Sequence, residues 1–440
     1  MAARKNPVQR RLDLVHDEWV TFAELPDARV LCWQVAPDEP PMVEAFVAVE
    51  SDEQGGELPD LFVRLLSAFD AAIPYGFALR GEFLEIARAL HAGLESPETV
   101  PWVAPNYERG EDDVVFWVRT CASFCAHYRL PGLLATLLLP GGISDAGAYQ
   151  LWLQRLAARL PSNVRAIVLD DARAPGLTEL ARAEPVRVVA RPLELDMPGA
   201  RLEVSAEAGN LDTAGGRFRH LFVQLTNALG AGKLPEAIGF AQAALGIAAA
   251  QRWFALAVPI QFSLGAAFAG QGRATEANER YLAAELAATE GEKAGDPTCT
   301  QLRAQARMVR GGLLVSIRQY PVAAQLFVDT IPLAEAAKDP RMVLDCYRLA
   351  SFSYEQSGAH EKAWQTGVEG LGYAHKLDAE TRQSSTLPYL GEGMLRLTQR
   401  PEYQASSLRI EREMVALTGR TDWRPQAAPA ASAGASAPAE

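Results

Sequence analysis

Three short stretches in the N-terminal half carry side chains that could do chemistry. Pro140-Gly141-Gly142-Ile143-Ser144-Asp145 follows an apolar run and opens a helical segment. Glycines ahead of a helix offer backbone N–H groups to an anion. A phosphate loop of the G-x-x-x-x-G-K-[ST] type also needs a Lys, and no such sequence occurs in the chain. Gly142 to Ala146 approximates the G-x-S-x-G elbow, with Ser144 as nucleophile and Asp170 or Asp171 as acid. It closes on Ala, and the next histidine downstream is His220. Ser144 or Asp145 reads more simply as a helix N-cap. Ala166-Ile167-Val168-Leu169-Asp170-Asp171 is a strand ending in two carboxylates, as in a Walker B strand that holds Mg²⁺, although acids end many parallel strands. Cys121 and Cys125 share a helix face, but His127 points well away at 100° per residue. Tetrahedral zinc needs four converging ligands, or three and a water. No catalytic residue, cofactor or metal site is therefore assigned.

The elements that would position these groups alternate between strand and helix over residues 1–205. Arg29–Ala36 and Val43–Glu50 are β-rich runs separated by prolines, which predicts a wide hairpin. Leu58–Asp70 and Phe77–Leu94 have helical spacing. Val114–Arg119, Leu133–Leu139, Val164–Leu169 and Val186–Leu193 are short apolar runs that predict strands, with a helix at Ala146–Leu160. Strand, helix, strand at this spacing implies βαβ units and a mostly parallel sheet. Gly209, Asn210, Gly215 and Gly216 mark a linker over 206–216. Residues 217–420 read as helix throughout, and 421–440 form an Ala/Pro/Ser tail that should be disordered. Trp33, Trp102, Trp117, Trp152, Trp253 and Trp364 read as core or interface anchors.

A chain of 440 residues suits two or three domains. The net charge of −12 disfavours non-specific nucleic-acid binding and attraction to anionic lipid. The five cysteines are scattered, the basic start has no apolar segment behind it, and no run spans a bilayer. The expectation is a cytoplasmic protein with no nucleic-acid or membrane partner.

The C-terminal half repeats itself. Ala237, Ala277, Ala323 and Ala363 lie 40, 46 and 40 residues apart. Five residues before three of them stand the turn glycines Gly232, Gly272 and Gly358, with Arg318 as the exception. Glycine there permits the positive φ that ends one helix before the next begins. Phe268, Tyr281, Phe327 and Tyr354 are aromatics suited to fill the gaps between helix pairs.

On Gly265, Phe268, Gly272, Ala277, Tyr281 and Ala284, this pattern resembles the tetratricopeptide repeat (TPR) family. Gly311, Leu314, Ala323 and Phe327 make another copy. Leu225, Ala228, Gly232, Ala237 and Ala244 make a weaker first copy. Ser351, Tyr354, Gly358 and Ala363 make a fourth, with Gly367 where an aromatic is usual, and Gly391 to Met414 form a degenerate cap. The family period is about 34 residues, so helices or connections must be longer here. The resemblance implies that the first helix of each pair lines a binding face. That face would carry Arg219, Phe222 and Thr226, then Phe262, Gln305 and Met308, and finally Arg348, Phe352 and Glu355. Such a face suits an amphipathic helix or an extended apolar segment of a protein partner. The Lys and Asn set of the family's carboxylate clamp is absent. The resulting expectation is an α/β domain followed by TPR-like repeats, acting as a non-enzymatic adaptor, scaffold or chaperone of bacterial type. The alternatives are a nucleotide-responsive regulator with a degenerate signalling-ATPase-like N-terminal domain, and a serine hydrolase using Ser144.

Overall fold

The computed structural model describes residues 6–52, 56–93 and 100–425. It divides into two compact units, Met1–Val204 and Ser205–Glu440. The first contains α1 (Pro7–Ala23), β1 (Val30–Val35), α2 (Pro40–Glu50), β2 (Leu61–Leu65), α3 (Tyr75–Gly93) and α4 (Asp113–Tyr128). It continues through β3 (Leu134–Leu138), α5 (Ala146–Arg159), β4 (Val164–Asp171), α6 (Thr178–Ala183), β5 (Val188–Pro192) and most of α7 (Met197–Ala208), whose last residues follow Val204. The strands form one sheet in the order β2-β3-β4-β1-β5, and every pairing is parallel.

Alternation along the strands creates two cores. Val30 and Cys32 of β1 join Trp117, Phe83 and Trp152 on one side, while Leu31, Trp33 and Val35 join Trp19, Phe22 and Phe46 on the other. The sheet is thus covered on both faces, which explains why β3 and β4 are continuous apolar runs.

Several expectations give way to this arrangement. The predicted hairpin does not form, because 40–50 is helix α2 and β1 pairs with β4 and β5 instead. Pro40 and Pro41 occupy the first helical turn, where a missing N–H is harmless. Met42, Val43, Phe46 and Val47 are the buried set of α2, a helical spacing. Leu58–Asp70 is not helical but supplies β2. Val114–Arg119 is not a strand but the first half of α4. Its Asp112 cap accepts Val114 N–H, and its buried residues Val114, Trp117, Cys121 and Phe124 recur at helical intervals.

The second unit is helical. It comprises α8 (Ala214–Gly230), α9 (Leu234–Gln251), α10 (Phe254–Gly270), α11 (Ala274–Lys293), α12 (Thr298–Ser316), α13 (Tyr320–Val328) and α14 (Ile331–Ala336). Then come α15 (Pro340–Gln356), α16 (His360–Ala374), α17 (Ala379–Gln383), α18 (Leu387–Leu397) and, after a 3₁₀ turn, α19 (Ser407–Thr418). The pairs α8/α9, α10/α11, α12/α13, α15/α16 and α18/α19 pack within themselves, and α10 and α15 also pack on α12 and α18 of the following pairs.

The repeat positions do what their residue types imply. Gly232, Gly272 and Gly358 have φ of +71°, +72° and +81°, and Arg318 takes the same left-handed turn at +61°. Ala237, Ala277, Ala323 and Ala363 are fully buried. A Cβ on Gly265 would lie 2.4 Å from the Tyr281 ring, and one on Gly311 would lie 2.4 Å from the Phe327 ring, so small residue and aromatic interlock. In the fourth pair Gly367 replaces the aromatic, and Met394 of the next pair fills the space (a Cβ on Gly367 would lie 2.0 Å from its sulfur).

The long 46-residue interval is taken up by a 20-residue α11 and a 19-residue α12 with 294–297 between them. The expected linker over 206–216 is narrower, since α7 runs to Ala208 and α8 starts at Ala214. Part of the segment expected to be a disordered tail is packed instead. Trp423 is buried against the cluster of Leu387, Ile410 and Leu417, and the rest of the expected tail, 426–440, lies outside the described residues.

Candidate functional site

The first helices of the repeat pairs carry the nine expected binding residues, and none of the nine is buried. On α8, Arg219 and Thr226 are exposed and Phe222 stacks on Phe218 at 6.5 Å. On α10, Phe262 meets the Tyr281 ring edge at 6.3 Å while remaining half-buried. On α12, Gln305 is half-buried and the Met308 sulfur accepts the Cys346 thiol at 3.3 Å. On α15, Phe352 contacts Tyr320, Arg348 lies 3.5 Å from Asp345, and Glu355 takes two hydrogen bonds from Arg396 at 2.8 and 2.6 Å.

The structure brings three of the nine into one cleft. Arg348, Phe352 and Glu355 line a cavity of about 150 Å³ together with Tyr389, Glu392 and Arg396 of α18. The other six are distributed along α8, α10 and α12. The face therefore grades from aromatic and small side chains on α8 and α10 to paired charges on α15 and α18.

One polar group of the repeats escaped the sequence reading. Glu285 of α11 is 8% exposed. Its two oxygens accept Arg307 Nε at 2.6 Å and Arg310 Nη1 at 2.7 Å, both from α12. Arg303 adds a bond to Glu292 at 2.7 Å. Arg303, Arg307 and Arg310 are spaced along one helix face, which was the available signal. Their partners belong to another helix, and no local rule names them.

In the α/β unit, the strand ends that carried the chemical motifs are satisfied internally. Ser144 Oγ accepts Ala71 N–H at 2.9 Å, and no histidine is bonded to it among the described residues. Asp145 caps α5 by accepting Ala148 N–H. Asp170 accepts Gly176 and Leu177 N–H, and Asp171 accepts the Arg173 guanidinium and backbone, which lowers its pKa. These carboxylates shape the loop after β4. Cys121 and Cys125 are buried thiols whose pKa values are pushed up by burial, and His127 bonds to the Val100 carbonyl instead. Among the described residues, no group of three or more His, Cys, Asp or Glu could hold a metal.

The loop after β1 is the more informative place, and the sequence reading passed over it. Glu39 sits at the start of α2 and is 3% exposed. Its carboxylate accepts Ala36 N–H at 2.7 Å and Leu195 N–H at 2.6 Å, tying the loops after β1 and β5 together. A helix start after a parallel strand is where an anion would bind. Here a carboxylate stands at that helix start, held by N–H groups of the flanking loops and not by those of α2, and Pro40 and Pro41 remove two donors of the first turn.

With this geometry, the class of the molecule is an α/β domain followed by a TPR-like helical-repeat array. No family model matches the chain, and no curated protein was found to match. Similar solved structures include BtubC (BKLC) from P. vanneervenii, 15% identical over 53% of this chain and 94% of that one, with a TM-score of 0.38. A putative kinesin light chain from Podosopora anserina with nearly identical TPR-like repeats is 15% identical over 47% of this chain and 97% of its own, TM-score 0.32. A signal transduction ATPase with numerous domains and a tetratricopeptide repeat sensor, from Pyrococcus horikoshii, is 9% identical over 96% and 90%, TM-score 0.25. No helix among the described residues is long and apolar enough to cross a membrane.

Proposed function

We propose that the chain is a non-enzymatic adaptor or scaffold, of the kind that includes chaperones, and that it captures a protein partner on the face formed by the first helices of its repeats. The observation that carries this reading is the row of incompletely buried Phe222, Phe262, Met308 and Phe352 on successive repeat pairs. Apolar anchors repeated along stacked helices suit a partner helix or extended segment, read at intervals. The charged end of the face, at Glu355 and Arg396, would set the direction in which that segment lies. The test is affinity capture from the native cell followed by mass spectrometry, comparing the wild type with Phe222→Asp and Phe352→Asp. Both side chains are partly buried, so circular dichroism and melting must first show that the variants fold. Specific recovery of a client by the wild type and its loss from both variants is expected. Unchanged recovery would sink the face assignment.

A nucleotide-responsive regulator is the principal rival. The Glu39 carboxylate at the start of α2 and the internally bonded Asp170 and Asp171 weigh against it, because phosphate would meet a negative group where it needs donors. Titration with labelled ATP and GTP in the presence of Mg²⁺ separates the readings. Tight binding abolished by Asp170→Ala would favour the rival. Hydrolysis through Ser144 has less support, since its hydroxyl serves the loop at Ala71 and no histidine is bonded to it among the described residues.

A further inference from the structure

The α/β unit has a pocket of about 340 Å³ between the loop that follows β2 and the helix that follows β3. Open parallel sheets bind ligands at this end of their strands. Phe69, Tyr75 and Trp152 form its buried floor. The rim is apolar and open to solvent: Ile73 is 59% exposed, Tyr107 46% and Phe77 39%, with the Phe77 and Tyr107 rings 5.1 Å apart. Leu66 and Ile143, also exposed, extend the patch along the same strand ends, joined to it by the Phe69–Ile143 bridge. Large apolar groups gathered at the surface in this way mark contact sites.

The charge around the mouth says what kind of partner fits. Arg155 is shared by Asp112 at 2.6 Å and Asp113 at 3.5 Å. Arg119 is shared by Glu111 at 2.6 Å and Glu108 at 3.2 Å. Asp70, on the rim, is exposed and forms no ion pair among the described residues; its carboxylate accepts only Ala72 N–H at 2.9 Å. Acids therefore outnumber bases at the mouth. The whole unit shares the bias, with 30 Asp and Glu against 19 Lys and Arg in the first 204 residues. A nucleoside phosphate or an acidic peptide meets repulsion here. A basic segment is attracted, and exposed aromatic faces add cation–π attraction for its Lys or Arg.

We propose that this pocket docks a basic, extended segment of a protein partner. One large apolar side chain of that segment enters between Ile73, Phe77 and Tyr107, and flanking Lys or Arg residues face Asp70 and its acidic neighbours. The site is independent of the repeat face.

The experiment is isothermal titration of the full chain with two synthetic peptides of one apolar core, Lys-Arg-Leu-Phe-Arg-Lys and Glu-Asp-Leu-Phe-Asp-Glu. The basic peptide should saturate and bind about tenfold or more tightly than the acidic one, a difference of about 1.4 kcal/mol or more. Ile73→Ser and Tyr107→Ser should weaken it several-fold. Asp70→Asn should weaken it and flatten its salt dependence. All three positions are exposed, and unchanged circular dichroism and melting will show that the variants fold. Phe352→Asp in the repeats should leave the affinity unchanged. Equal affinity for both peptides, no saturable binding of the basic one, or sensitivity to Phe352→Asp in place of Tyr107→Ser would each overturn the proposal.

Discussion

Replacing Glu285 with Ala removes the carboxylate that holds two arginines between the second and third repeat pairs. The size of the effect follows from exposure and from the partners that remain. The Glu285 side chain is 11% exposed, and those of Arg307 and Arg310 are 19% and 22% exposed. Breaking a fully buried ion pair from one side costs about 3–5 kcal/mol, because a charge is left uncompensated. Here each guanidinium keeps a route to water and one other acceptor: Arg307 bonds the Asp329 carbonyl at 3.1 Å and Arg310 bonds Asn278 at 3.3 Å. The lower end applies, about 3 kcal/mol. For a unit of this size, that corresponds to a fall of about 6–12 °C in melting temperature. Urea denaturation followed by circular dichroism measures it, since the repeats dominate the helical signal. The triple change Glu285→Leu, Arg307→Met, Arg310→Met should recover most of the loss, because no charge is then stranded. A Glu285→Ala variant within about 0.5 kcal/mol of wild type, as expected for a surface ion pair, would refute the claim that this network couples the two repeat pairs.

Four further outcomes are expected. Gly265→Ala should destabilise by about 1–3 kcal/mol, as its Cβ collides with the Tyr281 ring, whereas Gly246→Ala in α9, with open space around it, should stabilise by about 0.5–1 kcal/mol; denaturant melts of both decide it. Arg318→Gly should stabilise by about 1 kcal/mol because a side chain at φ +61° is strained, and a lower melting temperature would contradict the turn assignment. Glu39→Ala should cost about 1–3 kcal/mol by orphaning the Ala36 and Leu195 N–H groups, without creating ATP affinity; both are read by melting and titration. Burial pushes the Cys32 and Cys346 thiols up to about 12 and Cys125 to about 11, so native protein should resist a thiol reagent at pH 8. Because these folded-state values lie above those of the unfolded chain, their contribution to stability is complete below about pH 8.5. It falls as pH rises toward the shifted values, a loss visible as alkaline destabilisation.

How much the sequence discloses differs between the two units, for a physical reason. In the repeats, each structural role depends on near neighbours along the chain. A turn needs a residue tolerant of positive φ, a close helix pair needs Ala at 237, 277, 323 or 363, and an interlocked pair needs Gly265 opposite Tyr281. These are short-range requirements, so their spacing is written in the chain. Even the departures carry meaning: Arg318 adopts the glycine conformation, and Gly367 leaves a space that Met394 fills. In the α/β unit, β1 and Ala146–Leu160 were readable, but Val43–Glu50 and Val114–Arg119 were not. Their β-branched and aromatic residues favour strand locally, while the faces they bury belong to helices packed on a sheet formed by distant residues.

The candidate binding residues divide along the same line. Their positions on the first helices follow from repeat phase, which residue order alone determines. Arg348, Phe352 and Glu355 share one face of α15 by their i, i+4, i+7 spacing, but the cleft they line exists only because α18 packs beside that face with Tyr389, Glu392 and Arg396. Glu39, Glu285 and the pocket beneath Ile73 and Tyr107 likewise depend on contacts between residues far apart in the chain. Residue types and spacing determined the helical repeat and its turns, because these are set within a few residues of each position. The tertiary structure alone decided which carboxylates are occupied and which apolar side chains remain exposed, because burial and charge pairing depend on which distant segments meet.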